Sequence, residues 1–252
     1  MRHTEERIVF VVGSPRSGTT FLAGAVGTVP GFVDLTEVTP IKAAIPALSK
    51  LAAGAAAPRY RTILERVRFL SLSRGLRGIE QTPETAYVLE AALAAYPESR
   101  ALHIVRDGRD VVCSLLELGW LSAVRHDADD AGLSYGVDAR FWVEAEREHE
   151  FKTVSDATRA AWAWRRYVSA ARSVTDERVL ELRYDELVAD PDGMAQRVAA
   201  FLGCDAAALA VAFRRAHGRS IGRYKADLTT EQLADVEREA GALLRELGYP
   251  AP

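Results

Sequence analysis

Residues 7–26 read RIVFVVGSPRSGTTFLAGAV. Ile8, Val9, Phe10, Val11 and Val12 form a short apolar run rich in β-branched and aromatic side chains, which predicts a parallel strand buried on both faces. A glycine follows at once. Gly13 and Gly18 enclose four residues, and Phe21, Leu22 and Val26 then recur at helical spacing. The segment reads as strand, tight loop and helix N-terminus, an arrangement that aims backbone N–H groups and a helix dipole at an anion. The nucleotide-hydrolase pattern G-x-x-x-x-G-K-[ST] would put lysine where Thr19 stands. Here the only cation is Arg16, inside the loop.

Outward from this loop the same alternation repeats. Residues 101–105 and 178–183 are short apolar-rich strands, and each is followed by a helical segment. Residues 85–97 carry apolar side chains on one face and stop at Pro97, and Gly203 suits the C-terminal cap of another helix. The Ala-rich KLAAGAAAP near residue 54 reads as a helix end or loop. Strand followed by helix, repeated, implies a central parallel sheet with right-handed crossovers and helices on both faces. With 252 residues, 48 % of them hydrophobic, the expectation is one α/β domain spanning 1–252 with a substantial core. Trp162 and Trp164 read as core packing. Residues 118–155 break the pattern, with Trp120, His126, Tyr135, Trp142 and His149 among many acids, and read as a lid or acceptor-binding insertion.

Composition narrows the function. A net charge of −3 gives no overall electrostatic reason to expect nucleic acid or a membrane surface as partner. The arginines at 59, 61, 66, 68, 74 and 77 read as a solvated helix face. Two distant cysteines, Cys113 and Cys204, are too few for a disulfide framework or a structural zinc site and fit a reducing compartment. The apolar run before Gly13 is too short for a signal-peptide core or a membrane span, so a cytoplasmic location is expected.

A metal-dependent nucleotide kinase should have a second strand ending in a metal-binding aspartate. The strand at 101–105 instead ends in Arg106, and VRDGRDVVCS then turns through Gly108 into a helix carrying Ser114. That is a second anion site, built from arginine and a hydroxyl. Two phosphate sites on strand ends, with neither lysine nor metal carboxylate, suit a nucleotide phosphorylated at both ends of its ribose.

GSPRSGTT resembles the 5'-phosphosulfate loop of the PAPS-dependent sulfotransferase family, and RDGRDVVCS resembles that family's 3'-phosphate motif. The resemblance implies that Arg16 stands where the family's catalytic cation stands, with Ser17, Gly18, Thr19 and Thr20 around the 5' end and Arg106 with Ser114 at the 3'-phosphate. Looser matches extend it. LTEVTP resembles the segment that carries the family's acidic catalytic residue, at Glu37; RYDELVADP resembles the strand whose tyrosine approaches adenine, at Tyr184; SIGRYKADLT resembles the phosphate-covering loop, with Ser220, Arg223 and Lys225. Phe21 falls where some members stack an aromatic on adenine. EQTP departs from the frequent K-T-P by placing Gln81 at the lysine position. The activity implied is sulfuryl transfer from PAPS, without a metal, to a hydroxyl of a small-molecule or glycan acceptor. Arg16 and loop N–H groups would oppose charge on the leaving phosphate oxygen, and Glu37 would be the general base, with Glu80 and His126 behind it. The competing readings are a non-catalytic nucleotide-binding or scaffolding protein and a metal-dependent kinase.

Overall fold

The computed structural model describes residues 8–71, 76–122 and 144–250. His126, Tyr135, Trp142 and Arg74 lie outside those residues. In chain order the elements are β1 (Ile8–Val12), α1 (Thr19–Gly27), β2 (Phe32–Asp34), α2 (Thr39–Leu48), α3 (Ala53–Ser71), β3 (Arg77–Glu80), α4 (Leu89–Ala95), β4 (Arg100–Val105) and α5 (Gly108–Leu118). Then come α6 (Asp156–Arg172), β5 (Val179–Arg183), α7 (Tyr184–Ala189), α8 (Pro191–Leu202), α9 (Ala206–Phe213), α10 (Tyr224–Asp227) and α11 (Thr230–Glu246). A short 3-10 helix, Pro83–Val88, leads into α4.

The five strands form one sheet in the order β2-β3-β1-β4-β5, and each neighbouring pair is parallel. Period-2 alternation divides the core. Ile8, Phe10 and Val12 point into one cluster with Ala101, Val105 and the buried residues of α2 to α6 and α11. Val9 and Val11 point to the other face, joining Leu102 and Ile104 beneath α1, α8 and α9. Every residue of β1 has zero exposure, which is why the strand is apolar throughout. Trp162 and Trp164 are wholly buried.

Sequence reasoning missed β2 and β3. Arg77 and Asp34 dilute their apolar character, and β2 is an edge strand of three residues, too short for alternation to register. The Ala-rich stretch near residue 54 is a helix end, as expected: α3 starts at Ala53 and takes in Pro58 at its sixth position, where the proline forgoes one intrahelical hydrogen bond. The basic face of α3 is only partly solvated. Arg61 donates to the Ala95 carbonyl at 3.1 Å, and Arg77 beyond it donates to Leu202 at 2.6 Å.

This topology creates the site. β1 lies between β3 and β4, so the order in which successive strands are added reverses at the β1/β4 crevice, where open parallel sheets present ligand sites at the C-terminal strand ends. The 13–18 loop leaves β1 there. Arg106 leaves β4 beside it, with Val12 registered against His103.

Candidate functional site

The loop is held by backbone conformations that few residues accept. Arg16 has φ 71° and Gly18 φ 101°. A Cβ on Gly18 would lie 2.8 Å from the Tyr184 ring, so glycine is required both for the left-handed turn and for close approach of the tyrosine. Gly18 is the N-cap of α1 and offers no side-chain cap, and the first turn contains no acid. The helix N-terminus therefore presents N–H groups to an anion without internal competition.

The two motifs meet directly. Arg16 Nε donates to Ser114 Oγ at 2.9 Å. Arg106 donates to the Arg16 carbonyl at 3.3 Å and to the Ser220 carbonyl, and its guanidinium carbon lies 5.4 Å from the Tyr184 ring centroid. Arg16, Gly18, Thr19, Thr20, Phe21, Arg106, Ser114, Tyr184, Ser220 and Arg223 all line one cleft of about 320 Å³, together with Glu117 and His217. Phe21 also meets Phe213, ring centroids 6.3 Å apart. Ser17 Oγ and Arg106 Nε are buried and lack a hydrogen-bond partner among the described residues. Buried donors left this way on the loop and on the turn after β4 fit an anion, and the cleft volume falls in the range of small-molecule sites.

Sequence reasoning overlooked the groups that hold these cations in place. Trp164 Nε1 donates to the Arg106 carbonyl at 3.1 Å, and a Cβ on Gly108 would stand 2.6 Å from the indole. The tryptophan is core packing and also fixes the turn after β4. Asp110, 1 % exposed, accepts the Gly222 N–H at 2.8 Å and the Tyr224 N–H at 3.2 Å, tying the C-terminal loop to α5. Its oxygen is 3.9 Å from Arg106. Tyr184 donates to the His217 carbonyl at 3.2 Å, closing the loop from the other end. Arg109 belongs to this scaffold, gripping Asp107 at 2.6 Å and the Pro250 carbonyl at 2.7 Å. No sequence signal marks these roles, since each depends on residues far apart in the chain.

Other predicted residues lie elsewhere. Lys225 is exposed, with Nζ 5.9 Å from the Tyr224 ring, and does not line the cleft. Glu37 is half-buried and accepts from Lys42 Nζ at 2.8 Å. Glu80 is fully buried. Its carboxylate accepts from the Thr82 N–H at 2.8 Å, Thr85 Oγ1 at 3.0 Å and Tyr60 at 3.2 Å, and burial pushes its pKa up to about 7. Gln81 is buried with its side-chain carbonyl unpartnered among the described residues. From residues 118–155, Trp120 lies against the loop, its ring 6.0 Å from the Arg16 guanidinium. The far end is anchored instead: Glu144 accepts from Trp162 Nε1 at 2.6 Å and pairs with Arg165 at 2.7 Å.

The sheet order, the loop at its switch point and the two arginines define an open parallel α/β domain with a phosphate-loop-like anion site. Residues 49–208 match the family model described as the sulfotransferase family, and the chain belongs to that family. The matched span covers Arg106, Ser114 and Tyr184 and leaves out the 13–18 loop. The omega-hydroxy-beta-dihydromenaquinone-9 sulfotransferases of Mycobacterium tuberculosis and Mycobacterium bovis are each 23 % identical to it over 194 residues. That alignment takes in 75 % of this chain and 45 % of each relative, so the chain spans less than half of their length. Among solved structures, a mouse sulfotransferase complexed with PAP superposes with a TM-score of 0.58 at 16 % identity, covering 98 % of this chain and 88 % of that one. The sulfotransferase domain of the Synechococcus PCC 7002 olefin synthase gives 0.55 at 17 % identity over 100 % of this chain and 98 % of that domain. At these identities the superpositions speak to the fold. No helix among the described residues is long and apolar enough to cross a membrane.

Proposed function

We propose that the chain binds PAPS and transfers its sulfuryl group, by in-line displacement, to a hydroxyl of a small-molecule or glycan acceptor. The observation that carries this reading is the meeting of Arg16 and Arg106 in one cleft through Ser114 and the Arg16 carbonyl. PAPS supplies an activated sulfuryl group and a good phosphate leaving group. Arg16, with the N–H groups of residues 17–20, would oppose the charge that grows on that phosphate oxygen, an effect that is large where donors are preorganised. Ser17, Gly18, Thr19 and Thr20 would hold the 5' end, Arg106 and Ser114 the 3'-phosphate, and Tyr184 would flank the adenine, with Lys225 at the margin. The 3'-phosphate contact would distinguish PAPS from ATP.

The small-molecule side of the acceptor reading takes support from the mycobacterial relatives, which are named for a hydroxylated menaquinone. Residues 118–155 would contribute to acceptor binding within a single domain, consistent with Trp120 beside Arg16. A reducing compartment such as the cytoplasm fits the two free thiols, Cys113 and Cys204.

Thermal unfolding with PAP and with ATP, followed by mass spectrometry of PAPS with an acceptor panel, tests the reading. PAP should stabilise the protein well beyond ATP, and sulfated product should form with EDTA present. PAP binding without turnover on any acceptor would favour the non-catalytic reading. Activity lost to EDTA and restored by magnesium would favour a kinase.

A further inference from the structure

We propose that Glu84 takes the acceptor's proton, and that the acceptor brings its hydroxyl on a slender apolar stem. This rests on the sulfuryl-transfer reading above and names the base and acceptor class for the same site. Two cavities flank one loop. Arg16 and Gly18 line the large cleft, whereas Ser14 and Pro15, immediately before them, line a small cavity of about 20 Å³ with Glu84, Leu115, Trp120, Leu121, Ala163 and Tyr167. The same turn of α5 also serves both, with Ser114 facing the cleft and Leu115 the cavity. Trp120 spans them, since its ring also meets Arg16.

Glu84 is the acid of this cavity. It is 2 % exposed. Oε1 accepts from the Tyr167 hydroxyl at 3.0 Å, while Oε2 is buried with no hydrogen-bond partner among the described residues. A carboxylate oxygen left this way in a native core calls for an occupant that donates, and a cavity of this volume holds little more than one hydroxyl or water. Apart from Ser14, Glu84, Tyr167 and the indole N–H of Trp120, the side chains that line it are hydrocarbon, so the rest of the acceptor near that hydroxyl must be largely apolar.

The neighbouring charges favour the assignment over Glu37. Glu37 already accepts from the Lys42 ammonium at 2.8 Å, so that carboxylate oxygen is occupied, whereas Glu84 Oε2 has no partner among the described residues. Burial pushes the Glu84 carboxyl above its ordinary range, Lys42 from α2 and the Tyr167 hydroxyl from α6 oppose that rise, and Glu37 reinforces it. These are the titratable and charged groups that face it; Ser14, Pro15 and the α5 residues bring no charge. In the transfer the acceptor O–H bond breaks and its proton goes to Glu84 Oε2. The acceptor oxygen forms the new S–O bond as the bond from sulfur to the phosphate oxygen breaks, that electron pair leaving on PAP, and Glu84 afterwards releases the proton to solvent.

The test uses the full chain with PAPS and 1-octanol as acceptor, glucose as the polar comparison, and calorimetric PAP binding as a readout independent of turnover. Glu84→Gln should lower kcat about 10² to 10⁴-fold, the usual contribution of a positioned base, and leave PAP affinity essentially unchanged. The acidic limb of the kcat profile should lie above the ordinary carboxylate range and vanish in Glu84→Gln. It should move to higher pH in Tyr167→Phe, which removes a hydrogen bond to the ionised form. Glu84→Asp should retain the limb at reduced rate and serves if the amide variant fails to fold. Glu84→Gln with near wild-type kcat, or loss of the limb in Glu37→Gln instead, would overturn the assignment of the base. Wild-type transfer to glucose but not to 1-octanol would overturn the acceptor class. A wild-type chain that neither binds PAP nor transfers to any alcohol would bring down the broader reading itself.

Discussion

In the cleft on one side of the 13–18 loop, Arg16 and Arg106 hydrogen-bond to neutral groups while Arg223 is paired with Glu117; on the other side lie carboxylates in three different environments. Arg16 rests on a serine hydroxyl, and Arg106 rests on two carbonyls with Asp110 only at 3.9 Å. Neither charge is cancelled at close range, so the cleft keeps a positive potential that an anionic ligand can exploit. Across the loop, Glu37 is ion-paired and half-exposed, Glu80 is sealed among three donors, and Glu84 is sealed with one oxygen unoccupied. Cations held by neutral groups remain available to a ligand, whereas a carboxylate's usefulness depends on whether its acceptor sites are already filled.

Substitutions can break this contrast, and the largest effect belongs to the loop cation. Arg16→Ala should reduce turnover about 10² to 10³-fold, as loss of one preorganised charge-stabilising donor does elsewhere, with PAP still bound. Steady-state kinetics with saturating PAPS decides it. A wild-type rate would mean that the backbone N–H groups suffice and the arginine is scaffold.

Glu80 sharpens the carboxylate side. Its pKa is raised from an ordinary 4.5 to about 7 by burial. Below about 4.5 it is protonated in both the folded and unfolded states, so it causes no loss of stability there. Between there and about 7 only the unfolded state ionises freely, and unfolding becomes easier by roughly 3 kcal/mol in total. Urea titrations at several pH values should show that slope, and Glu80→Gln should flatten it whatever its absolute stability. A slope of the same size in the variant would assign it to another group.

Arg106→Ala tests the other cation. Wild-type protein with PAP at about 100 times its dissociation constant should gain roughly 2.7 kcal/mol of stability, and the variant should lose most of that gain. Equal retention in the variant would leave Arg106 as a strut between the Arg16 and Ser220 carbonyls. Lys225→Ala should have the smallest effect, a reduction in PAP affinity of about twofold or less, since an exposed cation outside the cleft interacts through screened solvent. A tenfold loss by calorimetry would bring Lys225 itself into the site.

The side of the site with the loop and the two arginines was legible because it is built from local motifs. GSPRSGTT needs only its own backbone to turn and to start a helix, and RDGRDVVCS places arginine and serine on the end of a strand and the first turns of a helix. The carboxylate side was not. Glu37, Glu80 and Glu84 look alike in one dimension, each an acid in a turn-rich stretch, and the resemblance favoured Glu37.

By itself the sequence determined β1, the loop and helix that follow it, the parallel α/β architecture and the identity of the two facing arginines, because short-range periodicity and the stereochemistry of glycine are properties of a few consecutive residues. Only the tertiary structure decided that Arg16 meets Ser114, that Asp110 and Trp164 hold the Arg106 turn in place, and that Lys42 pairs with Glu37 while Glu84 faces a cavity. Those outcomes depend on which distant groups exclude water from one another, and desolvation and pairing exist only after the chain has packed.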